Sequence, residues 1–218
     1  MNCSLVLLSG GLDSTVVLYY ARSIHDQVHA LSVNYGQRHE RELMHAEHTC
    51  AATQVPHMVL DVSRLGPFLS SSLTQGDLPI PHDDYELSNI TSTIVPNRNA
   101  ILISIAVGVA ISAGDMHLYL AIHSGDHDLY PDCRPDFMEA MQNAVDTGNL
   151  EKLALETPFL HMTKADIVRI GNDLGVPWKD TWSCYEGGEL HCGQCATCRE
   201  RREAFDIAGV CDPTSYAL

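Results

Sequence analysis

The most constraining feature of this sequence is a glycine pair between a short apolar run and an amphipathic segment near the N-terminus. Residues 5–8 are wholly apolar and predict a buried strand, while residues 14–22 carry apolar positions at helical spacing. Gly10 and Gly11 stand between them. Glycines let backbone N–H groups approach phosphate oxygens, and a helix N-terminus adds the positive end of its dipole. In this context the pair predicts a phosphate-binding loop; alone it would indicate only a turn.

The rest of the chain continues the alternation of strands and helices. Further strands are predicted at residues 28–33, 57–62 and 118–122, and further helices at residues 38–54, 97–113, 136–144, 163–174 and 199–208. This order is typical of an α/β fold with a doubly wound, mostly parallel sheet, in which right-handed crossovers place the first strand centrally. Residues 63–96 predict a loop or lid insertion, because they contain Pro67, Pro79, Pro81 and Pro96.

The charge of the chain narrows the classes of partner. Asp and Glu number 28 against 13 Lys and Arg, for a net charge of −15. Such a chain repels phosphate backbones and anionic lipid, so we expect neither nucleic-acid nor membrane-surface binding. The longest apolar run, residues 100–113, is shorter than the roughly 20 residues that span a bilayer and predicts a core helix. With no basic, cleavable leader at the N-terminus, we expect a cytoplasmic protein.

Four of the eight cysteines lie close together near the C-terminus, in the order C-x7-C-x2-C-x2-C. This spacing lets four thiolates reach one tetrahedral Zn²⁺, and four sulfur ligands leave no open position on the metal. We therefore predict one structural zinc per chain, with an iron–sulfur cluster as the second choice for the same ligands. The predicted ligands are Cys184, Cys192, Cys195 and Cys198.

The glycine loop resembles the SGGxDS motif of the PP-loop ATP pyrophosphatases (adenine nucleotide α-hydrolase-like enzymes). A Walker loop would need Lys where Asp13 stands, and the GxGxxG spacing is absent. The resemblance implies that ATP is broken between its α and β phosphates, with Mg²⁺ bound to it and held in part by Asp13. It also implies an ATP-binding domain at residues 1–177 and a C-terminal zinc element at residues 178–218. ATP contacts are expected from Leu8, Ser9, Gly10, Gly11, Leu12, Asp13, Ser14 and Thr15.

Further blocks resemble one family among these enzymes, the 7-cyano-7-deazaguanine synthases. They are YGQRH at residues 35–39, SSLT at 71–74, VPNRN at 95–99, YPDCR at 130–134, ETP at 156–158, KADI at 164–167 and TWSCY at 181–185. The resemblance implies that ATP adenylates 7-carboxy-7-deazaguanine, that ammonia displaces AMP to give the amide, and that a second ATP activates the amide oxygen to give the nitrile. It also implies a homodimer.

The matched blocks supply the candidate site residues. An Arg that opens a helix can bind a carboxylate or phosphate bidentately, and a carboxylate suits the N–H edge of a guanine-like ring. Arg38, His39 and Glu42 form either a charged corner beside the phosphate loop or an exposed helix face, and Cys133 is interpreted as a packed thiol. The predicted catalytic residues are Asp13, Ser14, Arg98 and Lys164. The predicted substrate-binding residues are Tyr35, Arg38, Arg98, Asp126, Tyr130, Asp132 and Arg134.

The sequence departs from the usual family pattern at Ala121-Ile122 and Asp128-Leu129, in the predicted substrate loop. These changes leave open a relative that stops at the amide, transfers the deazaguanine to a protein, or serves DNA modification. An RNA-thiolating enzyme of the same superfamily is disfavoured by the acidic charge. A non-catalytic nucleotide-binding module with a zinc ribbon is the alternative from another class.

Overall fold

The structure is a computed structural model that describes residues 3–75, 77–82, 91–126 and 130–217. Its strands are β1 (Cys3–Leu7), β2 (Gln27–Asn34), β3 (His57–Asp61), β4 (His117–Tyr119) and β5 (Ala154–Glu156). Its helices are α1 (Leu12–Ile24), α2 (Arg41–Thr53), α3 (Arg98–Ala113), α4 (Pro135–Gly148), α5 (Lys164–Asp173) and α6 (Ala196–Ala208).

The five strands form one parallel sheet in the order β3-β2-β1-β4-β5. The predicted α/β class and the central position of β1 are therefore confirmed. The direction of winding reverses between β1 and β4. In open parallel sheets this reversal opens a crevice at the carboxyl ends of the strands, and the loop after β1 lies there.

Neighbouring β1 side chains point to opposite faces of the sheet. Because they are apolar on both faces, both faces are covered by helices. Val6 packs in a core that includes α1, α5 and α6, while Leu5 packs in a second core with α3 and α4. Both residues are fully buried. At about 25 cal/mol per Å² of apolar surface, these two cores dominate the stabilisation of the fold.

Several predicted boundaries differ from the structure. α1 begins at Leu12, two residues before its predicted start at residue 14, and this places Asp13 in its first turn. α2 begins at Arg41, so Arg38 and His39 belong to the preceding loop and not to a helix. α6 begins at Ala196. β5 was not predicted, because three residues give no periodicity.

The apolar helix α3 continues a helical stretch that is longer than the apolar run at residues 100–113. Together with a preceding 3-10 helix it forms a stretch, Thr91–Ala113, that is long and apolar enough to cross a membrane by length and composition alone. In the fold, Ile103, Ala106, Val107 and Ala110 are buried in the core beneath the sheet. The helix therefore uses one face for core packing, as predicted.

Two helical glycines make a matched test of this packing. Gly171 in α5 leaves no room for a methyl group, since a Cβ there would lie 2.2 Å from Trp178 Cη2 and 2.7 Å from Val16 Cγ2. Gly108 in α3 has open space around it. We expect Gly171→Ala to lower the free energy of unfolding by about 2 kcal/mol and Gly108→Ala to raise it by about 0.5–1 kcal/mol. Urea denaturation measures both, and equal effects would contradict the packing described.

Candidate active site

A cavity of about 250 Å³ lies at the carboxyl ends of β1, β2 and β4. The predicted site residues that line it come from five separate stretches of the chain. They are Leu8, Ser9, Gly11, Leu12, Asp13, Ser14, Tyr35, Arg98, Tyr130 and Lys164. The fold therefore brings most of the predicted ATP and catalytic residues together, as the parallel topology requires.

The phosphate loop is ordered by its own hydroxyl groups. The Ser9 Oγ accepts a hydrogen bond from the Gly11 N–H at 3.2 Å and lies 3.0 Å from the Ser14 Oγ. Gly11 is the N-cap of α1, so the helix N-terminus opens onto the loop. Leu8, Leu12 and Thr15 are almost fully buried. Leu8 and Leu12 nevertheless line the cavity, whereas Thr15 is not among its lining residues.

Gly10 is held where no other residue fits. Its φ is +90°, and a Cβ there would lie 2.0 Å from the Glu42 carbonyl oxygen and 2.7 Å from the Ala46 nitrogen. Its own carbonyl accepts a hydrogen bond from the Trp182 N–H at 3.0 Å. The loop is thus pressed between α2 and the segment that leads into the cysteine cluster.

Asp13 lies at the centre of a charged group. Its Oδ2 is 3.4 Å from the Lys164 ammonium and 3.9 Å from His123 Nε2. Lys164 also pairs with Glu200 of α6. The other oxygen, Asp13 Oδ1, is buried and has no hydrogen-bond partner among the described residues. An unpartnered carboxylate oxygen beside a phosphate loop fits a Mg²⁺ ligand.

Lys164 reaches this position because α5 begins there. The Thr163 Oγ1 accepts from the Asp166 N–H at 3.3 Å, and Asp166 Oδ2 accepts from the Thr163 N–H at 3.1 Å. This capping box fixes the first turn of α5. Lys164 is the first residue of that turn.

Glu42 and His39 lie inside the cavity wall. The Glu42 side chain is 14 % exposed, and its Oε2 lies 3.7 Å from His39 Nε2. Burial raises the pKa of Glu42 to about 8; Arg98 opposes this rise and Asp13 adds to it. Burial, assisted by Arg98, lowers the pKa of His39 to about 4. Glu42 and His39 therefore lie in the cavity wall beside the phosphate loop and not on an exposed helix face.

Arg98 is the first residue of α3, after Asn97 with φ +56°. The Asp132 Oδ2 accepts a hydrogen bond from the Asn99 N–H at 3.0 Å and so fixes this helix start. Burial disfavours the charge of Arg98, yet the groups around it, foremost Tyr35 and Tyr185, raise its pKa above the usual value. Arg98 is therefore a permanent cation on the cavity wall.

Of the remaining predicted substrate residues that the structure describes, Arg38, Asp132 and Arg134 are not among those that line the cavity. Arg38 donates to the backbone carbonyl oxygens of Ser72 and Leu78 and lies 3.8 Å from Glu186. It therefore binds the predicted lid segment, residues 63–96. Arg134 is exposed at the start of α4. The side chain of Asp126 lies outside the described residues. The predicted roles of these residues stay predictions.

The four cysteines form a cluster that could hold a metal ion. Their sulfur atoms all lie within 4.8 Å of one another, and three of the residues are buried. Sulfurs on a tetrahedral zinc stand about 3.8 Å apart. The Cys184 and Cys192 sulfurs accept backbone N–H groups at 3.2–3.4 Å. Hydrogen bonds from Cys184 and Cys198 lower the pKa of Cys195, which favours the thiolate that a metal binds.

The lid segment packs on this cluster. Within the part of residues 63–96 that the structure describes, Ile80 is buried against Trp182 and the cysteines. His82 Nε2 lies 2.7 Å from Glu186 Oε1, and Arg199 donates to the His82 carbonyl. Gly76 and residues 83–90 of the predicted lid lie outside the described residues. The cluster therefore supports the wall of the cavity as well as the C-terminal helix.

Comparison with known proteins agrees with this geometry. The family model described as "Queuosine biosynthesis protein QueC" matches residues 3–209. The chain belongs to this QueC family. It is 45% identical over 215 residues to a 7-cyano-7-deazaguanine synthase of Caldicellulosiruptor bescii, covering 99% of this chain and 97% of the relative. It is 46% identical over 216 residues to one of Brucella anthropi, covering 98% and 93%.

Solved structures show the same fold at low identity. An NMN synthetase from Francisella tularensis superposes with a TM-score of 0.56 and 13% identity, covering 96% of this chain and 78% of the other. At this identity the likeness concerns the fold alone. It supports the parallel α/β fold of this chain.

Sequence reasoning missed several residues of this candidate site. His123, Tyr185, Thr197 and Glu200 contact the site or line its cavity. Tyr185 stands inside a matched block, TWSCY, and could have been chosen. Thr197 lies between Cys195 and Cys198, and Glu200 follows Cys198. The role of these two positions is recognised only once α6 is known to run past Lys164.

Two cysteines offer a matched test of the metal cluster. We expect Cys198→Ser to lose the bound metal and to lower the free energy of unfolding by about 3 kcal/mol, or about 10 °C in Tm, because a ligand of a buried cluster is removed. Cys211→Ser should change neither, since Cys211 is exposed and outside the cluster. Metal analysis of the purified proteins and thermal unfolding measure both. Full metal content in the Cys198 variant would contradict the assignment.

Proposed function

We propose that this protein is a 7-cyano-7-deazaguanine synthase, which converts 7-carboxy-7-deazaguanine, ammonia and ATP to the nitrile, AMP and pyrophosphate. The observation that carries the proposal is that the phosphate loop and Arg98 line one cavity. A nucleotide at the phosphate loop and a carboxylated deazaguanine at Arg98 would then lie in the same cavity. Relatives of nearly equal length carry this name at 42–46% identity, which supports the substrate assignment.

The phosphate loop would hold the β and γ phosphates, the part of ATP that leaves. Backbone N–H groups near Gly11 and the hydroxyls of Ser9 and Ser14 are donors for those oxygens. Asp13 would hold in part the Mg²⁺ bound with ATP, and that ion would neutralise charge on the pyrophosphate. Lys164 adds a second cation beside it. These groups would stabilise the negative charge that develops on the pyrophosphate in the transition state.

Arg98 would bind the substrate carboxylate, because a guanidinium matches a carboxylate with two parallel hydrogen bonds. Tyr35, which is buried beside Arg98, and Tyr130, which also lines the cavity, would frame the ring. The carboxylate oxygen attacks the α phosphorus and pyrophosphate leaves. Ammonia then displaces AMP to give the amide, whose oxygen is activated by a second ATP in the same way.

The cysteine cluster would hold one zinc as a structural ion, since all four positions of a tetrahedral site are filled by sulfur. We also propose a cytoplasmic homodimer that binds neither nucleic acid nor membrane. The acidic net charge of −15 supports the exclusion of nucleic acid. Division into residues 1–177 and 178–218 is part of the same proposal.

The reaction is tested by its products. With 7-carboxy-7-deazaguanine, ATP, Mg²⁺ and ammonia, we expect AMP, pyrophosphate and the nitrile by mass spectrometry. Replacing Asp13 and Ser14 by Ala should reduce pyrophosphate release at least about 100-fold, because both groups act at the leaving phosphates. Ser23→Ala, an exposed change on the same helix, is the control. ADP with orthophosphate, or the amide as the final product, would refute the proposal.

Arg98→Lys tests the carboxylate contact. Lys keeps the positive charge but loses the bidentate fork, so we expect the KM for the acid to rise about 10-fold or more while the KM for ATP changes little. Arg22→Lys, at an exposed position in α1, is the control. Steady-state kinetics with each substrate varied in turn measure the effect. An equal rise in the KM for ATP would place Arg98 on the nucleotide instead.

A further inference from the structure

Glu42 is a buried carboxyl that the steps above do not use. It stands in the first turn of α2, where the packing at Gly10 presses that helix onto the phosphate loop. A Cβ at Gly11 would lie 3.8 Å from Glu42 Oε1. The carboxyl therefore faces the phosphate loop, and it lines the same cavity as Arg98 and interacts with its charge.

The ionisable groups around Glu42 come from every element packed against it. His39 precedes α2, Arg98 opens α3, and Asp13 lies in the first turn of α1. Among the described residues no hydrogen bond joins the Glu42 carboxyl to another group. Lys164, by contrast, pairs with both Asp13 and Glu200. Glu42 is thus a carboxyl in the cavity with free capacity to exchange a proton.

The proposed reaction requires such a group, because every bond formed to nitrogen leaves protons to be removed. Ammonia adds to the acyl adenylate as a nitrogen with three hydrogens and a positive charge, and one proton must leave before AMP departs with the amide in place. The adenylated amide carries two N–H protons. Both must leave as the carbon–oxygen bond breaks and AMP takes the oxygen, since the nitrile nitrogen has none.

We propose that Glu42 accepts these nitrogen protons. The inference rests on the proposed function and assigns the base in its nitrogen chemistry. Each proton passes from nitrogen to the carboxylate and then to solvent, and no other reactant is consumed. The raised pKa of Glu42, caused mainly by burial, suits the role, since a base works best when its pKa is near the working pH. His39, with its lowered pKa, is a weaker base beside it.

The test separates adenylation from proton removal. Adenylation moves no proton, so Glu42→Gln should keep ATP–pyrophosphate exchange with the acid within about 3-fold of the wild type. Nitrile formation from the 7-carboxamide should fall at least about 100-fold, the usual scale for loss of a general base. Wild-type nitrile formation should rise with pH and level off above about pH 8. The variant should lose this pH dependence, and Glu42→Asp should retain part of the rate with the pH dependence still present.

The control variant is Glu47→Gln, an exposed change on the same helix, which should behave as wild type. Folding gives a second control. The pKa of Glu42 in the folded protein lies above the ordinary value of 4.5 for a Glu side chain, so the wild type loses stability as pH rises from about 4.5 to 8. Glu42→Gln should therefore unfold at a higher temperature than the wild type at pH 8 and at a similar temperature at pH 4.5.

Two results would overturn the inference. Parallel loss of exchange and nitrile formation in Glu42→Gln would place the carboxyl in adenylation, for example on Mg²⁺. Unchanged nitrile formation in that variant would leave no role for the residue. If the wild type makes no nitrile from either the acid or the amide, the proposed function itself fails, and the inference falls with it.

Discussion

The rest of the site depends on the close contact between α2 and the phosphate loop at Gly10. Because a Cβ at this position would meet the Glu42 carbonyl at 2.0 Å, only glycine lets the helix approach. The same approach drives the Glu42 side chain against Gly11 and removes it from most of the solvent. A backbone constraint and the unusual pKa of a carboxyl thus have one cause.

The chain is strongly acidic, yet it concentrates cations at one point. Arg98 and Lys164 line the cavity. Each is the first residue of a helix, and the start of that helix is fixed by hydrogen bonds. Asp132 fixes the turn that presents Arg98, and a capping box fixes the turn that presents Lys164. Local positive charge can therefore hold anionic reactants although the surface as a whole repels polyanions.

Much of this arrangement could be predicted because its signals are local in the sequence. The strand–glycine–helix order predicts the loop, and the cysteine spacing predicts the cluster, since both depend on residues within a few turns of chain. The strand alternation gives the parallel sheet, because βαβ connections have one hand. The family resemblance added Arg98 and Lys164, which a single sequence would otherwise rank as ordinary helix-start cations.

The remainder depends on contacts across the fold. Arg38 belongs to a matched block, but where its side chain points is decided by the lid carbonyls that it meets. Glu200 acquires a role only when α6 passes Lys164. Burial of Glu42 follows from the approach at Gly10 and leaves no trace in hydrophobic periodicity. β5 is too short for any pattern and is defined by its pairing with β4.

Helix α6 carries a cysteine of the cluster and residues of the cavity wall on one rigid element. Cys198 and Glu200 are two residues apart, about 3 Å along the helix axis, and Arg201 of the same helix is buried in a network with Thr181 and Asp212. A shift of the helix at Cys198 would therefore also shift Glu200 and Arg201. An ion held among the sulfurs would therefore be coupled through α6 to Lys164, whose ammonium pairs with Glu200 on the same helix.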